Sequence, residues 1–68
     1  MSNDKDKLNS QRMAVQEHIE KYKEYSQRSP EAVNMALRTI LNCQSQIEKI
    51  LSKHPHWESS WEDTWKPS

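Results

Sequence analysis

The sequence predicts an all-α fold: an antiparallel two-helix hairpin followed by a short, Trp-rich C-terminal helical segment, assembling as a dimeric helical bundle. Three observations predict it. Apolar residues recur at helical offsets along two long stretches. Between them, Ser29-Pro30-Glu31 reads as a helix start. Period-two alternation of β-branched and aromatic residues is nowhere sustained, which argues against strands.

The first helix is expected over about residues 4–27. Leu8, Val15, Ile19 and Tyr22 form its apolar stripe, with Met13 and Tyr25 at the margins. The stripe is thin, because Gln11, Arg12 and His18 stand where a strong core would place Leu or Ile. Asp4 and Asp6 suit the helix start, where carboxylates meet unpaired N–H groups and the positive end of the dipole.

The second helix is expected over 30–53. Ser29 is the N-cap, and Pro30 takes the first helical position, where its missing N–H costs nothing. Its stripe is stronger: Val33, Ala36, Leu37, Ile40, Cys43, Ile47, Ile50 and Leu51. Laid on heptads, Val33, Ile40, Ile47 and His54 share one position and Ala36, Cys43 and Ile50 the next. Val33, Leu37, Ile40, Ile47 and Leu51 are the candidate core and oligomer seam. Gln44 interrupts that seam, either to fix register or oligomer state or because it lies at a solvated edge. Pro55 disfavours helical geometry at His54 and closes the helix near Lys53.

The linker of a few residues favours antiparallel neighbours. Met35 and Leu41 fall off the seam, which predicts a second surface for another copy or another protein. The chain therefore divides into a hairpin, residues 1–54, and an acidic, Trp-rich segment, residues 55–68.

That segment contains all three tryptophans, Trp57, Trp61 and Trp65, spaced by four and interleaved with Glu58, Glu62 and Asp63. One reading opens a helix at Pro55 and puts the indoles on one side of it. The other caps a shorter helix with Ser60, takes Asp63 as capping-box partner and leaves Trp57 outside as an anchor. Each indole side chain buries about 150–250 Å². Covering all three is worth on the order of 10 kcal/mol before ordering costs. Three covers are open: the groove of the hairpin or its dimer; a groove on a partner, where Trp is enriched at binding hot spots and the acids steer toward a basic rim; or a membrane surface, which the three acids disfavour because interfacial helices usually carry Lys and Arg.

Composition removes many function classes. Ten basic side chains balance ten acidic ones, whereas nucleic-acid-binding domains usually carry a basic surplus. Without glycine, no phosphate-cradling loop, dinucleotide fingerprint or nucleophile elbow can be written. His18, Cys43, His54 and His56 match no closed zinc pattern, so no metal or cofactor is expected. Cys43, the single cysteine, reads as a core thiol. No base, nucleophile and stabilising group assemble with supporting spacing, so no enzyme is expected. No apolar run suits a signal peptide or a membrane span, which predicts a cytoplasmic protein without membrane contact.

A single core of this size seldom supplies more than roughly 3–5 kcal/mol. Self-association or a partner is the natural supplement. The expected function is that of a small intracellular protein-binding module, an adaptor or stoichiometric regulator that occupies a groove on a protein partner. Its candidate partner-binding residues are Trp57, Trp61, Trp65, Glu58, Glu62 and Asp63. It would act as a homodimer or as a subunit of a larger complex. The alternative is a dimeric nucleic-acid-binding regulator that gathers the basic groups of the first helix on one face.

Overall fold

Asn3 caps the first helix: its side-chain oxygen accepts a 2.8 Å hydrogen bond from the Asp6 N–H. The computed structural model describes residues 3–67, so the outermost positions of the two expected segments, 1–2 and 68, lie outside the described residues. Three helices make up the fold: α1 (Asp4–Tyr25), α2 (Pro30–Lys53) and α3 (Trp61–Thr64), with no strand among the described residues.

Helix α1 ends two residues earlier than the periodicity suggests. Ser26 Oγ donates to the Lys23 carbonyl at 2.9 Å, and the N–H groups of Arg28 and Ser29 both donate to the Tyr25 carbonyl. These bonds satisfy carbonyls that a continuing helix would have used, and they turn the chain back.

Helix α2 has the expected bounds. Ser29 Oγ accepts from the Ala32 N–H at 3.3 Å, and Pro30 opens the helix. At the far end the His54 N–H donates to the Leu51 carbonyl at 3.0 Å, and Pro55 follows. His54, just past the end of α2, bonds Asp4 in the first turn of α1, so the two long helices run antiparallel.

Leu8, Val15 and Ile19 of α1 pack with Ile40, Cys43 and Ile47 of α2 in one buried cluster. Ala14, Leu37, Ile50 and Leu51 flank it, half-buried. Within the expected seam, Ile40 and Ile47 are fully enclosed, while Val33, Leu37 and Leu51 keep some exposure. Met35, Leu41 and Met13 face solvent.

The Cα envelope measures 40 × 26 × 14 Å, its long axis set by α2, which at 1.5 Å per residue spans about 36 Å. A thin slab of this kind cannot enclose a large core. No helix among the described residues is long and apolar enough to cross a membrane.

Candidate functional site

The tail folds back across the hairpin, and the thin positions of the α1 stripe are where it lands. Arg12 lies on the stripe face, four residues after Leu8 and three before Val15. Its Nε and Nη2 donate to the two carboxylate oxygens of Asp63 at 2.9 and 2.8 Å, a fork-to-fork pair. Nη2 also donates to the Glu58 carbonyl at 3.1 Å. One turn on, Gln16 Nε2 donates to Glu62 Oε2 at 2.5 Å. From α2, Gln44 Nε2 donates to the carbonyls of Glu62 and Trp65 at 3.0 and 2.8 Å. Three side chains from two helices thus grip one short segment.

The segment is shaped for that grip. Asp63 accepts from the Ser60 N–H at 2.9 Å in a capping box, and Ser60 Oγ donates to the Glu62 carboxylate. The tryptophans do not share one helical face. The Ser60-capped reading holds, with Trp61 opening α3, Trp57 in the preceding turn and Trp65 at the C-cap. Because α3 is only four residues long, a spacing of four cannot line up three indoles on it.

The indoles have different fates. Trp65 packs on the buried cluster and meets Tyr22 edge-to-face, with ring centroids 5.7 Å apart at 76°. Trp57 also packs on the cluster; His54 stacks on it at 3.8 Å and 6°, and the Lys5 ammonium lies 4.7 Å from its ring centroid. Trp61 keeps 56% of its surface exposed. Of the acids, Glu62 is buried, Asp63 nearly so, and Glu58 is exposed.

Charge supports the docking. For Glu62 and Asp63 burial pushes the pKa upward, yet both carboxyls are held below their usual values. At Glu62 the opposing hydrogen bonds come from Ser60, its own backbone N–H and Gln16, with the Arg12 charge nearby. At Asp63 they come from Arg12 and the Ser60 N–H, again with the Arg12 charge. Arg12 is raised in turn, chiefly by Asp63. At the open end, the hydrogen bond from His54 Nε2, at 2.8 Å, is the main reason Asp4 is lowered. No buried side-chain polar atom among the described residues is left without a partner.

The candidate partner-binding residues are therefore brought together but not presented alike: Trp57, Trp65, Glu62 and Asp63 face the hairpin, Trp61 and Glu58 face solvent. Of the receiving groups, Arg12 and Gln44 carried a signal in the sequence, since they interrupt apolar stripes, and Gln16 carried none. The tail supplies the reason. Gln44, half-buried, holds two tail carbonyls.

Cys43 is free and buried, and burial raises its thiol pKa. Among the described residues no three His, Cys, Asp or Glu side chains gather in a way that could hold a metal ion. Between α1 and α2 near the turn, an open groove of 300 Å³ is lined by His18, Lys21, Tyr25, Met35, Ala36 and Thr39. Compared with models of protein families, with curated proteins and with solved structures, the chain matches none.

Proposed function

We propose that this chain is a protein-binding module, an adaptor or stoichiometric regulator of the cytoplasm, that works by inserting an aromatic anchor into a groove on a protein partner. One observation carries the reading: Trp61 is 56% exposed although its neighbours Glu62 and Asp63 are locked to the hairpin. A large indole carried on an anchored backbone costs less to order on binding than one on a free tail. Glu58, exposed three residues before it, supplies an acid for a basic rim.

Surface area supports the same reading. The chain exposes 5307 Å², whereas a compact monomer of this mass exposes about 4,500 Å². The excess follows from the 14 Å thickness of the slab and leaves surface open to a partner. Met35, exposed beside the 300 Å³ groove, offers a second surface to a protein partner. The nucleic-acid alternative is weakened because Arg12 is tied to Asp63.

The test starts from capture on the parent chain and on Trp61→Ala. A protein retained by the first and lost from the second, with affinity falling at least tenfold when the complex is rebuilt from purified parts, supports the reading. Equal binding to both chains removes it.

A further inference from the structure

We propose that the clamp of Arg12, Gln16 and Gln44 also receives the tail of a second copy, so that two chains can exchange tails and close as a reciprocal dimer. The inference uses none of the surface assigned to Trp61 and goes beyond that reading.

Recognition here is separable. The groups that grip lie on α1 and α2, and everything they grip lies beyond Pro55, from the Glu58 carbonyl to the Trp65 carbonyl. Between the two parts, Pro55 and His56 are exposed in the turn that follows α2. Rotation there carries the tail away as a unit. Every contact it leaves in its own chain is remade on the other, so exchange is a low-cost route to a symmetric dimer.

Charge favours the same partner. The tail holds three acids, Glu58, Glu62 and Asp63, against one base, Lys66. Because the whole chain balances at ten and ten, the hairpin carries two basic groups in excess. Tail and hairpin attract each other whichever chain each belongs to, while two neutral chains have no net charge to repel them. What opposes exchange is the chain's own tail, present at an effective concentration of about millimolar through a short linker. Removing that competitor reveals docking between copies at micromolar concentration.

Two charge-reversed full-length chains do this. Arg12→Glu sets acid against Asp63, and Asp63→Arg sets base against Arg12, so each alone has a repelling latch. Mixed, the hairpin of the Arg12→Glu chain meets the tail of the Asp63→Arg chain, and the unaltered Arg12 of the second chain meets the unaltered Asp63 of the first. Quenching of tryptophan fluorescence by acrylamide reads the docking, and native mass reads the pairing. The expected result is that each variant alone is more quenched than the parent. The equimolar mixture then regains the parent's shielding as a heterodimer, with a mass twice that of one chain.

A mixture that quenches as the average of its two components overturns the proposal, whether the single variants are folded or not. So do single variants shielded as well as the parent, since the charge pair then does not dock the tail. The double variant, with both substitutions in one chain, rebuilds the pair internally and is expected to be shielded and monomeric. Failure of that chain to shield its tryptophans also overturns the proposal.

Discussion

Arg12 and Asp63 stand 51 residues apart in the chain and meet through two hydrogen bonds of 2.9 and 2.8 Å, with only 16% and 6% of their side chains exposed. A pair this enclosed depends on both members, because removing one leaves the other charge buried. Arg12→Ala is expected to cost about 2 kcal/mol, a charged hydrogen bond's worth. In a domain of this length that lowers the melting midpoint by roughly 10 °C. Arg12→Lys keeps the charge and loses the fork, so it should recover only part of the loss. Thermal melts followed by circular dichroism decide this: equal midpoints for parent and Arg12→Ala would show that the pair contributes nothing.

Gln44 does with one amide what Arg12 does with one guanidinium. Its side chain bonds the carbonyls of Glu62 and Trp65, so Gln44→Leu fills the seam with apolar volume but strands two acceptors. The expected outcome is a loss of roughly 1–2 kcal/mol together with stronger acrylamide quenching of Trp65 in a chain where Trp57 and Trp61 are Phe. A more stable Gln44→Leu chain would place Gln44 among ordinary seam interruptions.

Much of this architecture was legible in the sequence, and the physical reason differs by element. Helix α2 was plain because Ser29, Pro30 and Pro55 are local signals that need no neighbours. The end of α1 was blurred because no glycine or proline marks it; the Ser26 hydroxyl and the paired bonds to Tyr25 do so instead. The Ser60–Asp63 capping box could be read from residue types three apart. Which tryptophan stays outside could not, since it depends on where Arg12, Gln16 and Gln44 hold the segment. Those three are separated from their partners by 18 to 51 residues.

Acid should destabilise the fold through the two carboxyls that dock the tail. Glu62 and Asp63 are held below their unfolded values, which lie near about 4. A carboxyl lowered by folding contributes stability that is fully present above its unfolded pKa and is lost as pH falls through the folded one. Urea midpoints should therefore be flat with respect to these groups from pH 7 down to about 5 and fall below pH 4. Asp63→Asn should flatten the acid limb of that profile. An unchanged limb in the variant would assign the loss to other carboxyls.

The two inward indoles and the outward one predict opposite outcomes for the same substitution. Trp65→Ala removes a half-buried ring from the cluster and from Tyr22, and is expected to cost about 2–3 kcal/mol. Trp61→Ala touches a mostly exposed ring and should stay within about 0.5 kcal/mol of the parent. Denaturant titration of both chains tests the assignment, and a Trp61→Ala chain as weak as Trp65→Ala would make Trp61 part of the core.

Ending the chain at Lys53 removes the tail's contribution altogether. If Trp57 and Trp65 each bury about half of an indole, their loss at about 25 cal/mol per Å² amounts to roughly 4–6 kcal/mol before ordering costs are returned. That equals or exceeds the roughly 3–5 kcal/mol a core of this size supplies. Truncation also leaves Arg12, Gln16 and Gln44 without the groups they bind. The shortened chain is therefore expected to lose most of its helical circular dichroism at micromolar concentration, or to keep it only by associating. Melting and solution mass, measured beside the full chain, separate the possibilities. A shortened chain that stays helical, monomeric and equally stable would mean that the tail is held by the hairpin without supporting it, and all three tryptophans would then be free to serve a partner.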